Sequence, residues 1–242
     1  MKCFFITATD TDAGKTFVAC ALTQALINAG KKVAVYKPIS AGCQQVGELL
    51  VNEDAQLLSQ FSNCKQSISD VNPIAFEEAI APHIAAANAN REISIDEISQ
   101  GFSKVTSLKA DVTITEGAGG WRLPIYISNN KKIGAKKHIF LSDFAQETKQ
   151  EVILVVNMKL GCLNHALLTY QAIIADGLHC IAWVANTASE LTMPCLNENI
   201  ASLEQLLPMP KIAQFDFYNE SNMSLIDKVN AAANKIELSH IL

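Results

Sequence analysis

Charge is scarce in this chain. Of its 242 residues only 18% are Asp, Glu, Lys or Arg, and just two, Arg91 and Arg122, are arginines. A disordered polymer needs many charges and few apolar residues, and here 49% of the residues are hydrophobic, so the composition excludes one. Basic excess is missing too. A net charge of −5 and a pI near 5.5 argue against a nucleic-acid binder, whose domains are usually basic. Long apolar runs are absent: no stretch approaches 18 uninterrupted apolar residues, so no membrane span is expected. The apolar opening around Phe4-Phe5-Ile6 runs directly into Asp10, Asp12 and Lys15, which leaves no full signal-peptide core. The seven cysteines (positions 3, 20, 43, 64, 162, 180 and 195) include no C-x-x-C pair. They read as reduced, mostly buried thiols of a cytoplasmic protein, without the ligand spacing of a structural zinc site.

What is present is alternation. Short apolar runs at Lys2–Thr7, Lys32–Tyr36, Asp111–Thr115, Val152–Asn157 and Cys180–Ala185 have strand character. Helical spacing fills Thr16–Ala29, Glu53–Phe61, Ile95–Leu108, Leu163–Ala175, Leu196–Leu207 and Ser224–Lys235. Alternating strands and helices predict an α/β fold, one parallel sheet with helices on both faces, as a single domain over residues 1–242. The cationic, Asn-rich stretch 128–138 breaks the rhythm and reads as a surface insertion.

The strongest chemical signal lies between the first strand and the first helix, in Thr7-Ala8-Thr9-Asp10-Thr11-Asp12-Ala13-Gly14-Lys15-Thr16. Gly14 permits positive φ and close backbone approach, and the helix start faces an anion with free N–H groups. Lys15 reaches the β- and γ-phosphates of a nucleotide, and the Thr16 hydroxyl is an Mg²⁺ ligand. The spacing departs from the usual phosphate loop, which has glycine where Thr9 stands. Lys37 follows the second strand, where ligands of an open parallel sheet collect, and is expected at the mouth of the site. Asp54 at a helix start and Glu116 at a strand end supply carboxylates for Mg²⁺, which takes few protein oxygens beside phosphate. Glu116 opens the glycine-rich run Gly117-Ala118-Gly119-Gly120. Lys159 is a further cation, and Gly161-Cys162-Leu163-Asn164 opens a helix suited to seat a carboxylate.

Taken together, T-A-T-D-T-D-A-G-K-T, Y-K-P-I-S-A-G, N-x-D-A, V-N-P-I-A-F with A-P-H, E-G-A-G-G-W, V-x-x-K-L-G-C-L-N-H-A-L-L-T and W-V-A-N resemble the dethiobiotin synthetases, a family of P-loop NTPase type. The resemblance holds in order from about residue 2 to Asn186. It implies ATP- and Mg²⁺-dependent carboxylation of 7,8-diaminononanoate with CO₂ or bicarbonate, and ring closure to dethiobiotin. By the same resemblance Asp12, Ala13, Gly14, Lys15, Thr16 and Phe17 wrap the phosphates, and Thr16, Asp54 and Glu116 hold Mg²⁺. Lys15 and Lys37 act as the catalytic cations, and Gly117, Ala118, Gly119 and Gly120 flank the reacting centre. Asn186 reads the adenine edge. Thr11, Lys37, Ser40 and Ala41 fall on the substrate side. Lys159, Gly161, Cys162, Leu163 and Asn164 take the substrate's distal carboxylate from the partner subunit of a homodimer.

Two positions depart from the family pattern: Ala8 replaces its first loop glycine, and Ala41 replaces a hydroxyl residue, with Ser40 one place early. Alternatives are a related amide-forming synthetase, a partitioning-type ATPase or a catalytically inactive ATP-binding relative. The partitioning type normally carries a second lysine early in its phosphate loop, and positions 8–13 have none.

Overall fold

The computed structural model describes residues 1–127, 138–190, 193–218 and 223–242. Six strands form its central sheet: β1 (Lys2–Ala8), β2 (Val33–Tyr36), β3 (Val112–Glu116), β4 (Glu151–Asn157), β5 (Cys180–Asn186) and β6 (Lys211–Phe215). They lie in the order β6-β5-β4-β1-β3-β2 and every adjacent pair is parallel. The longer helices are α1 (Lys15–Asn28), α2 (Glu53–Phe61), α3 (Ile95–Thr106), α4 (Cys162–Ala175), α5 (Leu196–Leu206) and α6 (Leu225–Ala233). The expected α/β architecture is therefore the observed one.

Side chains alternate across each strand, and this builds two apolar layers. Phe4, Ile6, Val35, Ile114 and Ile153 pack on one face with Val18, Leu22 and Leu26 of α1 and Val229 of α6. Phe5, Tyr36, Leu154 and Trp183 pack on the other face with Phe102 of α3 and Phe144. Strands buried on both sides account for the near-continuous apolar runs in the sequence.

The chain places β2 and β3 on one side of β1, and β4, β5 and β6 on the other. The carboxyl end of β1 is thus where the winding direction changes, the crevice at which open α/β sheets bind ligands. Register sets the depth of that crevice. Ile6 of β1 pairs with Glu116, and Tyr36 of β2 pairs with Thr115. Glu116, Lys37 and the loop after Ala8 therefore emerge close together.

Strand β6 was not apparent from sequence. Lys211-Ile-Ala-Gln-Phe is a half-polar edge segment whose Lys211 and Gln214 are only partly covered. Short pairings also lay below the sequence signal: Ile39–Ser40 with Ile74–Ala75, and the hairpin Gln44–Val46 with Leu49–Val51. Of the inferred insertion 128–138, residues 128–137 lie outside the described residues. Its last position, His138, begins a strand, His138–Phe140, that pairs antiparallel with Pro124–Ile127.

Candidate active site

The loop from Thr9 to Gly14 joins β1 to α1. Two residues turn it with positive φ, Asp12 at 58° and Gly14 at 79°. Gly14 caps α1 without a side-chain hydrogen bond, and the first turn holds no acid. The free N–H groups and the positive end of the helix dipole are thus left to an anion. Gly14 is also sterically required. A Cβ there would stand 2.2 Å from Nδ2 of Asn186, whose amide donates to the Ala13 carbonyl at 2.8 Å. Asn186, expected as an adenine reader, is seen here to fasten the phosphate loop from the end of β5.

Behind the loop, four polar side chains converge. The Thr16 hydroxyl donates to Glu116 Oε1 at 2.7 Å. The Lys37 ammonium lies 2.8 Å from the same oxygen and 3.1 Å from Asp54 Oδ2. Glu116 is 1% exposed and Lys37 4%, while the Asp54 side chain is 47% exposed at the rim. Burial alone pushes the Lys37 pKa down, but Glu116 and Asp54 outweigh it and hold the ammonium above its ordinary range. Lys15 shifts the other way. Burial, aided by the charge of Lys37, lowers its pKa against the opposing pull of Glu116, and its ammonium donates to the Asp10 carbonyl at 3.3 Å.

The second oxygen of Glu116, Oε2, is buried with no hydrogen-bond partner. An orphaned carboxylate oxygen beside a hydroxyl and a second carboxylate is a hard-oxygen donor set. Mg²⁺ is ordinarily held by one or two carboxylates with water and phosphate completing its shell, so Thr16, Asp54 and Glu116 fit that ion. Among the described residues no group of three or more His, Cys, Asp or Glu suggests a different metal centre.

Sequence reasoning missed the supports. The Asn52 side chain caps α2, accepting from the Ala55 N–H, and its amide donates to the Ala41 carbonyl at 3.3 Å. It thereby ties the helix carrying Asp54 to the loop after β2. Asn72 donates to the Lys37 carbonyl at 2.7 Å and accepts from the Ser40 hydroxyl at 2.6 Å. Both asparagines sit inside quoted motifs, but an amide's role as a brace depends on partners 11 and 35 residues away.

The cleft encloses about 1210 Å³. It takes in Thr11, Asp12, Gly14, Lys15, Thr16, Phe17, Lys37, Ser40, Ala41, Asp54, Glu116, Ala118, Gly119 and Asn186. Ala13 is a buried residue of the loop itself, and Gly117 donates its N–H to the Ile6 carbonyl at 2.9 Å. Gly120 packs toward the backbone of Ala8 and Thr9. The far end is lined by Thr187, Asp216, Phe217 and Tyr218, contributed after β5 and β6; Tyr218 packs against Phe17 with ring centroids 5.5 Å apart. That wall follows the strand that the sequence reading missed. Lys159, Gly161, Cys162, Leu163 and Asn164 do not line the cleft. Lys159 is ion-paired with Asp10 and Cys162 is buried, whereas Gly161 and Asn164 are exposed at the start of α4.

Residues 2–222 match a family model described as an AAA domain. The chain is 44% identical over 221 residues to the ATP-dependent dethiobiotin synthetase of Alteromonas mediterranea, covering 90% of this chain and 93% of that protein. It is 46% identical over 209 residues to the enzyme of the same name from Cellvibrio japonicus, covering 86% of each. Among solved structures, the MinD cell division protein of Aquifex aeolicus aligns at a TM-score of 0.54 with 14% identity, over 96% of this chain and 87% of that one. A ParA family ATPase from Chlorobium tepidum aligns at 0.53 with 13% identity, over 97% and 95%. At such identity these two likenesses speak for the fold alone.

Proposed function

The chain belongs to the ATP-dependent dethiobiotin synthetase family, and from that premise we propose how its cleft performs the reaction. ATP lies with its phosphates on the loop Asp12–Phe17 and its base toward Asn186 and Tyr218. The diamine 7,8-diaminononanoate presents its two amines near Thr11, Lys37 and Gly117–Gly120. One amine adds to CO₂, losing a proton and forming a carbamate. A carbamate oxygen attacks the γ-phosphorus, giving ADP and a carbamic–phosphoric anhydride. The second amine then attacks the activated carbonyl and gives up a proton as the carbonyl–phosphate bond breaks, closing the ureido ring and releasing phosphate. None of these steps needs a protein nucleophile, so the protein's task is positioning and charge stabilisation. Lys15 and Lys37 provide the cations, in keeping with a chain that has only two arginines. Thr16, Asp54 and Glu116 would hold Mg²⁺, which when bound supplies charge neutralisation of the β- and γ-phosphate oxygens.

The observation that carries this reading is the contact set joining Thr16, Lys37, Asp54 and Glu116 directly behind the phosphate loop. The test is product formation from the diamine, bicarbonate and MgATP. Phosphate release should depend on both added substrates, and release indifferent to the diamine would sink the proposal.

Ser40 leaves a gap in the substrate contacts. Its hydroxyl is already engaged with Asn72 and lies 3.1 Å from the Cys43 thiol, while Ala41 faces the cleft without a hydroxyl. Ala41→Ser is therefore expected to leave kcat unchanged and to tighten diamine binding by no more than ~1 kcal/mol, the worth of one neutral hydrogen bond. Steady-state KM for the diamine checks this, and strong inactivation would mean that the loop cannot accept the hydroxyl.

The assembly is proposed as a homodimer with shared sites. Gly161–Asn164 stands outside its own cleft, with Gly161 and Asn164 exposed, which suits the segment to receive a carboxylate in the partner's site. Lys37→Met and Asn164→Ala then damage any one site from opposite subunits. After random exchange half the dimers are mixed, each with one intact site, so roughly a quarter of normal activity should return. No recovery despite proven exchange would assign both residues to one subunit's site. No helix among the described residues is long and apolar enough to cross a membrane, and the chain is acidic. We place the enzyme in the cytoplasm, with small-molecule substrates and no nucleic-acid partner.

A further inference from the structure

We propose that Asp176, the residue that follows α4, is a positioning residue for the glycine-rich loop. The proposal rests on the reading of Gly117–Gly120 as the border of the reacting centre. Three of those four residues are glycine, so the loop has almost no side chains with which to anchor itself, and unanchored glycines sample many conformations. Its anchors must lie at its ends. At the first end, Gly117 donates to the Ile6 carbonyl at 2.9 Å, and a Cβ at Gly117 would stand 3.0 Å from the Phe5 ring.

At the other end one carboxylate takes two side chains, and Arg122 also reaches the Ser142 hydroxyl at 3.4 Å. The Trp121 indole N–H donates to Asp176 Oδ2 at 2.8 Å, and the Arg122 guanidinium to Oδ1 at 2.7 Å. Two consecutive residues thus use both oxygens of one side chain, through short bonds to a carboxylate that is only 11% exposed. Trp121 also meets the Phe5 ring edge-on, with centroids 5.8 Å apart and planes at 89°, so both loop ends close on the same phenyl ring. Asp176 itself is fixed, its N–H bonded to the Ala172 carbonyl at 3.1 Å. Released from Asp176, Trp121 loses its polar tether. The loop is then free to lift from Thr11, which lies 3.8 Å from where a Gly119 Cβ would stand.

The test uses Asp176→Ala, Asp176→Asn and Trp121→Phe in the full-length enzyme. Asp176→Ala should lower kcat about 10- to 100-fold, the order expected when reacting groups are misplaced by about 1 Å, while KM for ATP stays within about twofold. Acrylamide should quench its tryptophan fluorescence more strongly, and that change belongs to Trp121, because the other tryptophan, Trp183, is fully buried in β5. Asp176→Asn keeps an acceptor for the indole and should recover most of the lost rate. Trp121→Phe keeps the ring on Phe5 but not the N–H, and should lower kcat in the same direction. A kcat within twofold of the parent enzyme in Asp176→Ala overturns the proposal, as does unchanged quenching. If Asp176→Ala does not fold, parental kcat in Trp121→Phe overturns it equally. Full activity of Glu116→Gln in the same assay would instead overturn the reading of the site itself.

Discussion

Lys37→Met should reduce dethiobiotin formation by about 10²- to 10³-fold, the usual loss when one preorganised charge donor is removed from a transition state. The sequence places Lys37 at an open mouth, where such a change would leave the fold untouched. The structure revises that expectation. Lys37 is nearly inaccessible and sits between Glu116 and Asp54, so methionine leaves the Glu116 carboxylate buried without its cation. Breaking a buried pair from one side typically destabilises by about 3–5 kcal/mol. Activity must therefore be expressed per folded molecule, with chemical denaturation run on the same preparation. Lys37→Arg separates the two effects: it keeps the charge and most of the stability but carries a planar fork in place of a compact ammonium. A Lys37→Met enzyme with near-normal turnover per folded molecule would remove Lys37 from the mechanism.

Glu116→Gln is expected to cost a comparable factor, on the order of 10²-fold or more, by a different route. The change is nearly isosteric and can still accept from the Thr16 hydroxyl, but it removes the charge that pairs with Lys37 and that the proposed divalent cation would share. The deficit should therefore shrink as Mg²⁺ is raised, whereas the Lys37→Met deficit should not. Thr16→Val removes a neutral oxygen ligand and should show the same Mg²⁺ dependence with a smaller loss. Titration calorimetry of a non-hydrolysable nucleotide at several Mg²⁺ concentrations reads this directly. If neither variant alters the metal dependence, the ligand assignment is wrong.

The fold neighbours MinD and ParA sharpen a distinction that fold alone does not make. One sheet order serves many reactions, and function resides in the residues grafted onto it. In this chain the discriminating features are local. No lysine stands at positions 8–13, and Y-K-P-I-S-A-G and E-G-A-G-G-W flank the crevice. Those features could be read without coordinates.

The sequence by itself determined what depends on neighbours along the chain. Apolar runs and helical spacing marked five of the six central strands and the longer helices, because burial on both faces turns a strand into a near-continuous apolar run and an amphipathic helix keeps its own period. Gly14-Lys15-Thr16 declared phosphate chemistry, because positive φ, a helix start and a cation are all encoded within three residues. Strand order, by contrast, leaves no local trace, and neither does the half-polar edge strand Lys211–Phe215, whose following loop walls the far end of the cleft. The contacts that make the site are longer-range still. Thr16 and Glu116 are 100 residues apart, Lys37 and Glu116 are 79, and Asn186 reaches Ala13 across 173. Whether such side chains meet is decided by parallel register, Ile6 beside Glu116 and Tyr36 beside Thr115. A shift of one residue would turn Glu116 to the opposite face of the sheet.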